Sequence, residues 1–133
     1  MTRKSIFRPL VGLAACCAAA VPLAAQGPDL AMLGGLAKGQ WELKLRTDGS
    51  SQRMCVRSGQ ELVQIRHRQG GCERFVVQDD ANTVTVQYTC RGDGYGRTTI
   101  RREGNGLVQI RSQGIQGGLP FDVAGEARRV GSC

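Results

Sequence analysis

The sequence predicts an α+β fold that is mostly antiparallel β: a curved sheet of about seven strands with one short helix, stapled by disulfides. Three observations carry that prediction. Between residues 38 and 133, short runs in which apolar and polar side chains alternate are separated by Gly, Asn and Asp turn signals, the pattern of half-buried strands. Only the stretch after Ser58 carries both the start and the stop signals of a helix. Four cysteines, Cys55, Cys72, Cys90 and Cys133, punctuate the same region with 16, 17 and 42 residues between them. With no Cys-x-x-Cys pair and a single histidine in the chain, that spacing favours disulfides over a zinc site.

What precedes this region reads as an export signal. Thr2, Arg3, Lys4 and Arg8 form a basic head, and Leu10 to Leu23 is a nearly uncharged run of Ala, Val and Leu ending in small residues. The run is too short and too weakly apolar for a membrane span. Cleavage is expected after Ala25, making residues 1–25 a signal peptide, 26–37 a short linker and 38–133 one small β-rich domain. The alternative is a lipoprotein: Leu13-Ala14-Ala15-Cys16 has the form that permits acylation of Cys16. The protein is therefore expected in the periplasm or outside the cell, where disulfides persist. Removing 25 residues leaves 108, with fifteen basic against eleven acidic side chains and a net charge of +4. That excess suits anionic lipid headgroups or cell-wall polymers.

The first hairpin begins with Trp41-Glu42-Leu43-Lys44-Leu45 and turns at Asp48-Gly49. Pairing across that turn sets Leu43 opposite Met54 and Trp41 opposite Val56, with Cys55 facing away from Trp41. The helix follows: Ser58-x-x-Glu61 is a capping box, Leu62, Val63 and Ile65 come next, Arg66, His67 and Arg68 suit its C-terminal dipole, and Gly70-Gly71 ends it. One recurrence weighs against reading that helix from local sequence alone. Leu62-Val63-Gln64-Ile65-Arg66 is repeated identically as Leu107-Val108-Gln109-Ile110-Arg111, where a preceding Gly104-Asn105-Gly106 turn dictates a strand.

The second hairpin runs from Cys72 to Val77, turns through Asp79 to Asn82 and returns from Val84 to Cys90. Burial favours the register that gathers Phe75 and Val77 with Val84, Val86 and Tyr88 on one face. In that register Cys72 and Cys90 point to opposite faces, so the expected bridges are Cys55 to Cys72 and Cys90 to Cys133. A bulge in this hairpin would reverse the parity. The third hairpin sets Ile100 opposite Ile110 around a loop with Gly106 left-handed, and turns Arg97, Arg101, Arg111 and Gln109 outward. A last strand, from about Leu119 to Val130, carries Phe121 and Val123.

Gly39-Gln40-Trp41, Met54-Cys55-Val56, the Cys72 to Cys90 hairpin, the Gly-rich middle and the closing Ala127-Arg128-Arg129-Val130-Gly131-Ser132-Cys133 together resemble the bacterial exported family called domain of unknown function 3617. The resemblance spans about residues 38 to 133. It implies a small signal-bearing envelope protein and brings no catalytic residue, substrate or cofactor. This chain departs from the family in its compact stretch between Cys55 and Cys72.

Enzymatic chemistry finds little footing. His67 lies between Arg66 and Arg68, which oppose its protonation; no Gly-x-Ser-x-Gly elbow is present; and paired cysteines are not nucleophiles. Asp79-Asp80 reads as a turn rather than a calcium site, and Gly92-Asp93-Gly94-Tyr95-Gly96 as a turn rather than a phosphate loop, because strand and not helix follows it. Catalytic residues, cofactors and metals are expected to be none, and nucleic acid is not an expected partner. Two functions remain. One is a non-catalytic binding module whose apolar cleft, lined by Trp41, Leu43, Met54, Phe75 and Val86, takes a lipid or other hydrophobic ligand. The other is a structural or interaction protein with a closed core whose Arg97, Arg101 and Arg111 touch anionic envelope partners.

Overall fold

The computed structural model describes residues 30–133; the signal peptide and the acylation alternative at Cys16 lie outside the described residues. A short helix α1 (Ala31–Gly34) leads into seven strands: β1 (Gly39–Leu45), β2 (Ser51–Val56), β3 (Glu73–Asp79), β4 (Thr83–Cys90), β5 (Gly94–Gly104), β6 (Leu107–Gln116) and β7 (Leu119–Gly131). All seven join one antiparallel sheet in the order β2-β1-β7-β6-β5-β4-β3. The long return of β7 to the side of β1 makes β2 and β3 the two edges. Residues 57–72, which join those edges, must therefore cross the sheet's inner face.

That crossing and the N-terminal segment roof the core. Trp41, Leu43, Val84, Val86, Tyr88, Ile100, Val108, Ile110, Val123 and Ala127 rise from the sheet. Leu30, Met32, Leu33 and Leu36 cover them on one side, and Leu62, Val63 and Ile65 on the other. Residues 30–36, expected as the end of a linker, thus belong to the core. Their leucines repeat too closely for a solvated tether, and Trp41 Nε1 donates to Ala37 O at 2.9 Å to hold the segment down.

The hairpins differ from expectation in register, each for a local reason. In the first, Trp41 pairs with Met54 and Leu43 with Gln52, two residues off. The turn takes in Arg46 to Gly49 rather than two residues, with Leu45 N–H donating to Ser50 O and Asp48 accepting from Ser50. A shift of two preserves parity, so Trp41 still faces inward. In the second, the shift between Val76 and Gln78 leaves Val77 as a bulge, and Val76 and Arg74, not Phe75 and Val77, share the face of Val86 and Tyr88. Phe75 is 69% exposed on the outer face. The third hairpin pairs Ile100 with Ile110 as expected, although Gly106 is not among the left-handed glycines.

The bulge re-pairs the cysteines. By reversing parity it brings Cys72 beside Cys90, and these two form a disulfide with Cα atoms 4.4 Å apart. Cys55 bonds to Cys133: Gly131 pairs with Gln40, which itself pairs with Cys55, so the C-terminus arrives next to β2. Both expected bridges are thereby corrected. The helix after Ser58 is also reduced, to one 3₁₀ turn at Gln60–Leu62. Gly59, with φ 84°, precedes it, and Leu62 to Ile65 are buried at four consecutive positions, which no amphipathic helix allows.

Candidate functional site

A cleft lies where the curled sheet brings its two edges to face each other across residues 57–71. It encloses about 440 Å³, within the range of about 300–1,000 Å³ typical of small-ligand sites. Met54 and Cys55 of β2 form one wall, Arg74 of β3 the other, and Gln60, Gln64 and Arg68 of the crossing segment the floor and rim. The lining is amphipathic: a thioether and a disulfide opposite amides and guanidinium groups.

Hydrogen bonds fix the polar side. Arg74 Nε donates to Gln64 Oε1 at 2.7 Å and its Nη1 to Gln60 Oε1. Gln64, itself buried, donates through Nε2 to His67 O at 2.8 Å. Arg74 is thus held by two amides of the crossing segment, not by a carboxylate. The cleft's single acidic side chain is Glu61. Its carboxylate is turned onto the N–H groups of Arg57 and Ser58 and the Ser58 hydroxyl. Burial opposes that charge, but the N–H donors outweigh it and hold the pKa below 4.5. The capping box therefore survives in part, as the anchor of a 3₁₀ turn. The cleft is left with cationic character from Arg68 and Arg74.

Beneath the cleft, His67 is fully buried. Its Nδ1 lies 3.0 Å from Tyr88 Oη and its Nε2 3.0 Å from Ile115 O, so both ring nitrogens are occupied by protein. Burial pushes the Tyr88 phenol up despite its bond to Ser112, keeping it a neutral partner. Gly96 makes room for it, because a Cβ there would collide with Tyr88 Oη. Thr98 continues the polar layer, donating to Val63 O at 2.6 Å and lying 2.8 Å from Ser112 Oγ.

The side chains expected to face a ligand do not assemble into one site. Trp41 and Leu43 have no exposure and Val86 has 1%; these three are core, packed beneath the roof. Met54 alone of the five lines the cleft, and Phe75 points to the opposite face. Arg97, Arg101 and Arg111 do share the outer face, since Arg97 pairs with Gln113, Thr99 with Arg111 and Arg101 with Gln109. Two of them are already matched, Arg101 to Glu103 at 2.9 Å and Arg111 to Asp122 at 3.0 Å. Asp79 and Asp80 lie at a turn as expected, with Asp80 N–H donating to Thr83 O, and Asp79 also accepts from Ala31 N–H at 3.4 Å. Sequence reasoning missed Gln60, Gln64 and Arg74. The signal lay in the crossing segment itself, where a polar Gln64 stands in a run of apolar residues.

Among the described residues, no group of three or more His, Cys, Asp or Glu side chains is placed to hold a metal ion, and no helix is long and apolar enough to cross a membrane. No curated protein and no solved structure matches the chain. The family model described as "Protein of unknown function (DUF3617)" matches residues 36–133: the Trp41 strand, both disulfides and the crossing segment all lie inside that span, and the chain belongs to this family.

Proposed function

We propose that the protein is a non-catalytic binding module of the bacterial cell envelope, exported by its N-terminal segment, and that its ligand is an amphipathic anion such as a lipid with an acidic headgroup. The observation that carries this reading is the orientation of Arg74, fixed by Gln60 and Gln64 at the mouth of a cleft whose only carboxylate is spent on backbone N–H groups. A guanidinium held by neutral amides attracts an anion. Met54 and the Cys55 disulfide offer the apolar wall for a chain. The hydrophobic ligand site therefore moves from the inner sheet face to the gap between the sheet's edges. The engagement of both His67 nitrogens supports a non-catalytic role, and the two disulfides suit an oxidising compartment.

Calorimetric titration of the unreduced protein with dodecyl phosphate tests this. Saturable binding is expected, weakened about tenfold or more in Arg74→Gln, the loss of one charge-assisted contact. Equal affinity of Arg74→Gln and the native protein would remove the cleft from consideration. A second reading, an interaction protein with a closed core touching anionic partners through Arg97, Arg101 and Arg111, is favoured by the zero exposure of Trp41 and Leu43. It expects salt-sensitive association that survives Arg74→Gln.

A further inference from the structure

The end of the sheet formed by the β6–β7 and β4–β5 turns is apolar at its surface, and it adjoins the cleft. Gly117 and Gly118 both have positive φ, 56° and 79°, and shape a two-residue turn that ends in Leu119, 72% exposed. Tyr95 is 50% exposed, and the ladders set it beside Ile115 and Ile115 beside Pro120. Side chains alternate across a strand. Leu119 therefore lies on the inner-face side of the tip, whereas Tyr95, Ile115 and Pro120 lie on the outer-face side.

Cations surround this end. Arg66 is exposed with its guanidinium 5.7 Å from the centre of the Phe121 ring. Arg91 is exposed in the β4–β5 turn, which is tied to the tip by Gly117 N–H donating to Asp93 O at 2.8 Å. The acid in that turn, Asp93, has its carboxylate 3.9 Å from the buried His67 Nε2. Gln116 Nε2 also donates to Arg66 O, which joins the tip to the segment that carries Arg68 of the cleft.

We infer that this tip docks the protein on an anionic bilayer surface, with Leu119 inserted among acyl chains, Tyr95 at headgroup level and Arg66 and Arg91 on lipid phosphates. A protein partner lying against the sheet would cover one side of the tip and leave the other in water. A fluid apolar medium covers both sides at once, and Tyr and Arg are the side chains suited to its border. The exposed guanidinium groups of Arg66 and Arg91 suit a negative surface.

Co-sedimentation with vesicles of phosphatidylethanolamine and phosphatidylglycerol tests the inference, with phosphatidylcholine vesicles as the neutral comparison. The native protein is expected to bind the anionic vesicles, more weakly as salt is raised. Leu119→Asp should weaken binding ~10-fold or more by removing the inserted side chain, and the double variant Arg66→Gln, Arg91→Gln should lose the preference for anionic over neutral vesicles. Because Leu119 is exposed, the fold is retained, which circular dichroism reads directly. Phe75→Asp, an equally exposed apolar position on the edge strand, should bind as the native protein does. Undiminished binding of Leu119→Asp, or loss in Phe75→Asp instead, overturns the inference. So does a native protein that ignores vesicles but forms a dimer abolished by Leu119→Asp, which would give the tip to a second copy of this chain. Dodecyl phosphate titration of Leu119→Asp reads the cleft separately, so failure of docking and failure of the cleft reading are distinguishable.

Discussion

The same five residues, Leu-Val-Gln-Ile-Arg, occur at 62–66 and at 107–111 and have different structures. At 107–111 they lie in β6, where Val108 and Ile110 are buried and Arg111 is exposed, the period-2 alternation of a strand. At 62–66 the first four are all buried, and the chain forms the end of a 3₁₀ turn and an irregular crossing. Ladders with β5 and β7 satisfy the backbone of the strand copy. In the crossing, no ladder is available, and single-turn backbone bonds (Leu62 N–H to Gly59 O, Val63 N–H to Gln60 O, His67 N–H to Gln64 O) share the task with side chains, Thr98 donating to Val63 O, Gln116 to Arg66 O and Gln64 to His67 O. Buried backbone must find partners. What differs between the copies is who supplies them: neighbouring strands for 107–111, local turns and side chains for 62–66.

The sharpest separation of the two copies should come from the Cys72–Cys90 bridge, which pins the end of the crossing to β4. Replacing both cysteines with alanine is expected to cost about 3 kcal/mol in urea unfolding, and to open amides 60–70 to hydrogen exchange before those of 107–111. Equal exposure of both copies would mean that the bridge supports the whole sheet. Next in size is the leucine comparison. Leu62→Ala, at a position with no exposure, should destabilise by about 3 kcal/mol, and Leu107→Ala, half-buried at the start of β6, by about 1 kcal/mol or less. Similar losses would contradict the claim that the crossing is core.

The smallest effect is the share of the pH dependence that arises in the crossing. Glu61 has a folded pKa held below 4.5 by the Arg57 and Ser58 N–H groups against the cost of burial. A depressed carboxylate contributes stability that is complete above the unfolded value and is lost as pH falls through the folded one. Unfolding midpoints should therefore drop as pH is lowered below 4.5, and Glu61→Gln should flatten that part of the curve. A curve unchanged by the substitution would remove Glu61 as the anchor of the turn.

The pentapeptide also marks how far sequence could be read. Strands flanked by strong turns were legible: alternation about Trp41 and the Ile100–Ile110 pair follow from side-chain period and a neighbouring turn. Parity failed at Val77, because nothing local announces a bulge on an edge strand, and with it went the cysteine pairing and the placement of Phe75. The helix after Ser58 failed because its capping signal is real but local, whereas burial of four successive residues under a curled sheet is a tertiary demand. Trp41, Leu43 and Val86 do form one inward set, without Phe75 and Val77, yet the cleft arises where two sheet edges approach. Edge-to-edge distance is set by strand order and twist, which no single strand encodes.

Hydrogen exchange with mass spectrometry, on the unreduced native protein with and without saturating dodecyl phosphate, tests the central claim most directly, because the identical pentapeptides serve as site and internal reference. Protection is expected to rise across residues 60–70 when ligand is added, with residues 107–111 unchanged. Protection that rises equally in both copies, or in neither, would contradict the proposal that the cleft floored by the crossing is the binding site.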